Sequence, residues 1–127
     1  MLAGDANASY RPLDLDKATP AMSGDVGVFD FVNFVEVIEH IDPANEDNLV
    51  KFVSGTVRSV LMFTGAHEGQ KGYGHFNCRN KDHWIQVFIA AGLSCDNKLT
   101  AVGRSIFRAF EIPFEENLLV FRKPAAR

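Results

Sequence analysis

The segment Val28–Val37, VFDFVNFVEV, constrains this chain more than any other. Its Phe and Val residues favour extended backbone, and its apolar positions follow one another almost without a break. A run of this length and composition is expected as a strand buried on both faces, as in a parallel sheet. Asp42-Pro43 then opens a helix, with Asp suited to the N-cap and Pro tolerated at the first helical position. Leu49, Phe52, Val53 and Val57 fall on one face of that helix. Ser59–Thr64 (SVLMFT) is a second short apolar strand.

A long polar loop, GAHEGQKGYGHFNCRNKD, runs from Gly65 to Asp82. A helix is predicted from Lys81, turning Trp84, Val87, Phe88 and Ala91 inward and stopping at Gly92. A second amphipathic helix is predicted over Lys98–Phe110, with Leu99, Val102, Ile106, Phe107 and Phe110 on one side. Pro113 breaks that pattern, and Asn117–Arg122 is a terminal strand. The segment Tyr10–Leu15 is a further short extended candidate, and residues 1–9 are expected to be disordered or extended. Strands alternating with helices predict one α/β domain over residues 1–127, with a mainly parallel sheet and flanking helices. Ligands of such sheets bind outside the carboxyl ends of the strands. The polar residues there are Asp14 and Asp16, then Glu36 to His40, then Gly65 to His75.

Composition narrows the function. A net charge of −3, with Lys and Arg scattered, leaves no basic patch of the kind nucleic-acid binders carry. Eleven Phe residues among 127 mean a core of large apolar groups. Cys78 and Cys95 form no CxxC pair and fit a reducing compartment. No signal-peptide pattern and no apolar run of about 20 residues occurs, so a soluble cytoplasmic protein is expected.

The run Phe29–Ile41, FDFVNFVEVIEHI, resembles the fourth-strand motif of class I S-adenosylmethionine-dependent methyltransferases. Leu13-Asp14-Leu15 is similar to the end of their third strand. FTGAHEGQKGYGHFNCRNKDHWI resembles a loop of one branch of the family, with Glu68 where a Pro is usual, and ENLLVFRK resembles that branch's last strand. The resemblance covers about Tyr10 to Lys123. It implies an incomplete Rossmann-like domain with a terminal antiparallel strand, drawn from a sheet of order three-two-one-four-five-seven-six. The family's glycine-rich turn and ribose-holding acid belong to its first two strands, for which the sequence before Tyr10 offers no counterpart; Gly4-Asp5 makes no GxGxG turn. The expectation is the carboxyl-terminal part of a larger enzyme, binding S-adenosylmethionine weakly by itself and exposing a sheet edge through which copies of it associate.

By the same resemblance Asp14 and Leu15 border the adenine, Glu36, Glu39 and His40 line the reacting end, and His67, Gly74, His75 and Asn77 contact a methyl acceptor that the sequence does not identify. Each has a plainer reading. Asp14 is equally a turn or cap residue, Asp16 a solvated acid, and Glu36 and Glu39 acids favoured at a helix start. His67, His75, Cys78 and His83 carry zinc-binding groups, but their spacing matches no common zinc pattern, and no metal is expected. The two cysteines are expected as buried small residues. A non-catalytic module that binds a protein partner through its strand edge or loop is the alternative to an enzyme.

Overall fold

The computed structural model describes residues 8–125. Strand β1 (Phe29–Val35) leads through a short 3-10 turn at Ile38–His40 and another at Pro43–Asn45 into helix α2 (Glu46–Thr56), preceded by the five-residue helix α1 (Met22–Val26). Strand β2 (Val57–Thr64), helix α3 (Lys81–Ala90), the two-residue strand β3 (Ser94–Cys95), helix α4 (Asn97–Ala109) and strand β4 (Leu118–Arg122) complete the chain. The sheet order is β1-β2-β4-β3. β1 and β2 pair parallel, while β4 runs antiparallel to both β2 and β3, so three strands point one way and β4 alone is reversed. That is the order expected for the last four strands of the seven.

Local chemistry sets the helix ends. Asp42 accepts a hydrogen bond from the Ala44 amide at 2.9 Å, as its N-cap reading requires. Asn80 accepts from His83 N–H at 3.0 Å to start α3, and Asp96 from Leu99 N–H at 2.8 Å to start α4. Asp96 also binds Arg122 of β4; these two partners hold its carboxyl below the usual carboxylate range and tie the helix start to the sheet. α3 ends with Leu93 N–H donating to Phe88 C=O and Gly92 N–H to Ile89 C=O, with Gly92 at φ 98°, which an L side chain rarely adopts.

Phe63 of β2 anchors the core. Its ring lies 6.1 Å from Phe34, 5.6 Å from Trp84, 4.9 Å from Phe88 and 6.3 Å from Phe121, mostly edge to face. Leu49, Phe52 and Val53 of α2 and Trp84 and Phe88 of α3 cover this face of the sheet. The opposite face of β4 receives α4. A Cβ on Gly103 would lie 2.8 Å from Leu118 Cδ2, so glycine lets this helix seat against the strand without displacing that buried side chain.

Four expectations are corrected. β1 is not buried on both faces: it is the outer strand of the sheet, and Phe29 and Phe31 are 49% and 57% exposed. Tyr10–Leu15 forms no strand; Asp14 starts a 3-10 turn over Leu15–Lys17, and Tyr10 is exposed. In α4 the buried positions are Thr100 and Phe107, while Val102, Ile106 and Phe110 face outward, because the helix rests only on β4 and the turn before it and only a narrow stripe is covered. Cys78 and Cys95 are unpaired, as expected, but only partly buried. Residues 1–7, most of the segment expected to be disordered or extended, lie outside the described residues; Ala8 and Ser9 carry no regular secondary structure. Among the described residues no helix is long and apolar enough to cross a membrane.

Because Phe63 is wholly buried among four aromatic rings, Phe63→Ala should cost about 3–5 kcal/mol of stability. Urea denaturation of both proteins measures this; a loss below about 1 kcal/mol would mean the cluster collapses around the gap.

Candidate functional site

The parallel register places Val35 beside Thr64, so β1 and β2 end side by side at their carboxyl edge. Glu36 follows at φ 55°, a left-handed conformation uncommon for a non-glycine residue. A closed pair of hydrogen bonds holds it there. Glu36 N–H donates to Thr64 Oγ1 at 2.9 Å, and Thr64 Oγ1 donates to Glu36 Oε2 at 2.8 Å.

The turn at Ile38–His40 then carries Glu39 inward, where it is wholly buried. Its main-chain carbonyl accepts from Phe76 N–H at 2.7 Å and Asn77 N–H at 3.1 Å, which stitches the glycine-rich loop over the strand ends. Neither oxygen of its carboxylate has a hydrogen-bond partner. Burial pushes the Glu39 carboxyl above its ordinary range; its own backbone amide and His40 oppose the rise, and the charge of Glu36 adds to it.

His40 and His75 meet beside it, with ring centroids 5.0 Å apart and planes at 65°. His40 Nδ1 lies 3.0 Å from Gly74 C=O, and His75 Nδ1 lies 3.4 Å from Gln70 C=O. Glycines make room for both rings. A Cβ on Gly72 would fall 2.3 Å from His75 Cε1, and Gly74 sits at φ 71° with His40 Nδ1 3.3 Å from where its Cβ would be. One carboxylate oxygen of Glu39 and one ring nitrogen of each histidine lie within 4.8 Å of one another.

The remaining candidates separate from this cluster. Asn77 is buried, donating to Glu46 Oε1 at 2.7 Å and accepting from Arg79 Nε at 3.1 Å; Glu46 also holds His83 at 2.9 Å. Its side chain fastens the loop to α2 and α3. His67 lines a different cleft, with Gln70, Phe114 and Asn117. The set His67, His75, Cys78 and His83 is not assembled, because His83 is turned to Glu46 and His67 to its own cleft. Asp14 is exposed, accepting from Asp16 N–H at 3.1 Å and facing Lys17 at 3.8 Å, so its carboxylate is engaged in its own turn. Leu15 lies on an apolar groove with Phe31, Phe34 and Val53. Asp16, read from sequence as solvated, accepts from Asp42 N–H at 3.0 Å and Asn45 Nδ2 at 3.3 Å and so ties the first segment to the turn after His40. Sequence reasoning missed Thr64, Glu46 and Gly72, whose roles depend on partners 28, 31 and 3 residues away, respectively.

Sheet order, reversed β4 and flanking helices together make a Rossmann-like α/β fold. No protein-family model matches the sequence, and no curated protein matches it. Solved structures share the fold. Magnesium protoporphyrin IX methyltransferase (ChlM) from Synechocystis PCC 6803, solved with bound SAH, superposes with a TM-score of 0.57 at 10% identity, over 88% of this chain and 49% of that one. The [4+2]-cyclase SpnF superposes with a TM-score of 0.50 at 13% identity, over 79% of this chain and 51% of that one. The chain thus spans about half the length of each. At such identities the likeness establishes the fold, and a fold hosts more than one chemistry.

Asn77→Ala would remove two part-buried hydrogen bonds to charged groups, those with Glu46 and Arg79, at an expected cost of about 1–3 kcal/mol. Hydrogen exchange should quicken at the amides of Phe76 and of residues near it; unchanged exchange there would mean the loop is held by its main chain alone.

Proposed function

We propose that this chain is the carboxyl-terminal part of a methyltransferase that uses S-adenosylmethionine and acts on an acceptor still to be identified. The observation that carries this reading is the position of Glu36–His40. They follow β1 directly, at the carboxyl edge of a half-sheet whose fold is shared by a methyltransferase solved with SAH. When bound, the cofactor supplies an electrophilic methyl group on a sulfonium, and its transfer to a nucleophile demands alignment more than covalent help. Glu36 fits the reacting end, since Thr64 fixes one of its oxygens while the carboxylate keeps capacity to take a proton from the acceptor. In this reading the Gly72–His75 segment, which meets His40 at Gly74 C=O, is on the acceptor side. The adenine end fits less well, as Asp14 is engaged with Asp16 and Lys17.

Titrating S-adenosylhomocysteine into isotope-labelled chain tests this. Weak, millimolar-range binding is expected, with amide shifts confined to residues 33–40 and 64–77. No perturbation, or shifts confined to α4, would overturn the cofactor reading; low-micromolar affinity would overturn its partial character.

We further propose that copies of the chain associate through β1. Among the described residues the strand pairs on one side only, and Val28, Phe29 and Phe31 are exposed along it. No Lys or Pro guards it, and its single charge, Asp30, is held by Arg58 at 3.0 Å. Light scattering over a concentration series should show growing mass for the native chain, and Phe31→Lys should abolish the growth. A native chain that stays monomeric at high concentration would refute the edge pairing.

A further inference from the structure

We propose that Glu39, His40 and His75 form a binding site for one divalent transition-metal ion. Three independent features of the cluster point to it. The first is proximity: a carboxylate oxygen and two imidazole nitrogens already lie within 4.8 Å of one another. Metal bonds of about 2.0–2.1 Å require them to close by up to about 1.5 Å more, and two of the three sit on or against a loop.

The second is the state of the rings. The Nδ1 atoms of both histidines face main-chain carbonyls, those of Gly74 and Gln70. A carbonyl oxygen can only accept, so each Nδ1 carries the hydrogen, and in the neutral ring the lone pair is then on Nε2. Metal-binding histidines are oriented in this way, the second nitrogen held by a carbonyl or carboxylate.

The third is Glu39. Its carboxylate is wholly buried, and neither oxygen has a hydrogen-bond partner. An unpaired buried carboxylate is costly, and a cation answers both its charge and its empty lone pairs. His40 is exposed, which leaves a path for an ion to enter.

Two imidazoles and a carboxylate, without a thiolate, suit Zn²⁺, Co²⁺, Fe²⁺ or Mn²⁺ and not the all-oxygen shells of Mg²⁺ or Ca²⁺. Three protein ligands leave at least one position open, as in sites that bind a water or a substrate oxygen. The inference does not rest on the methyltransferase reading, because it concerns the metal alone.

The experiment is a titration of chelator-stripped chain with Co²⁺, followed by its visible absorption, and with Zn²⁺, followed by calorimetry, with no nucleoside present. One equivalent should bind, with the stronger visible bands of four- or five-coordinate cobalt. Glu39→Gln keeps the shape of the side chain and removes its buried charge, so it should fold at least as well while its affinity falls tenfold or more. His75→Gln should lose the absorption band, and His67→Gln should keep it. Absence of binding at millimolar metal overturns the proposal and would mean that a proton neutralises Glu39. Binding that survives both Glu39→Gln and His75→Gln, or that His67→Gln removes, also overturns it. The cofactor titration can fail while this one succeeds, and the reverse, so the two readings are separable.

Discussion

The parallel pairing of β1 with β2 is the constraint on which the rest depends. It places Val35 beside Thr64 and hence the Glu36 backbone within reach of the Thr64 hydroxyl. A slip of β1 by one residue would turn Phe34 away from the core and take Glu36 from Thr64 in the same step. Packing and site are thus set by one alignment. The aromatic cluster around Phe63 penalises the slip, and the hydrogen bonds at the strand ends make use of the register so fixed.

Where the strands stop, the balance changes from apolar burial to electrostatics. Glu36 is held in a left-handed backbone conformation, and Glu39 is buried beside it without partners for its carboxylate. Each is locally unfavourable, by on the order of 1–3 kcal/mol. They persist because the main chain around them is tied down at many points. Glu39 C=O receives two loop amides, Asn77 is clamped between Glu46 and Arg79, and Asp16 holds the turn that follows His40. Unfavourable groups gathered at one strand end, on a well-anchored support, are what a binding or reacting site looks like energetically.

Much of the fold was legible in the sequence because its signals are local or periodic. The Asp42 cap, the SVLMFT and NLLVFR strands and the α3 face with Trp84 and Phe88 stand close to where the pattern placed them, but Pro43 opens a 3-10 turn ahead of α2, and Val57, read as a helix residue, begins β2. The failures have a common cause. Burial of Phe29, Phe31, Val102 and Ile106 depends on which neighbours lie across the sheet or helix, and a periodic apolar pattern does not specify those neighbours. α1 and β3 are too short to leave a period. At the site, the resemblance picked out Glu36, Glu39, His40 and His75 separately. Their meeting depends on how the Gly65–Asp82 loop folds back, which glycines permit but do not encode. His67, His75, Cys78 and His83 show the same limit: they are close along the chain yet do not assemble, since spacing along a loop says little about distance across it.

The position of the cluster relative to the open edge has a consequence for how the chain works. Under the proposed reading, Glu36 to His40 follow the outermost strand, so this chain provides one wall of the site and the other must stand beyond β1. In the seven-strand order that place belongs to the first strand, with its glycine-rich turn. A second copy paired through β1 would bring a strand rich in Phe to the same place, with no such turn. Self-pairing and cofactor binding would then compete for one sheet edge, because an edge strand can add only one partner. The Glu39, His40 and His75 cluster lies on the side of the strand end that the loop covers, and needs nothing from across the edge. A cation could therefore be held by the chain in either state, while the reacting end of the cofactor site would form only when the edge is completed by strands of the right kind.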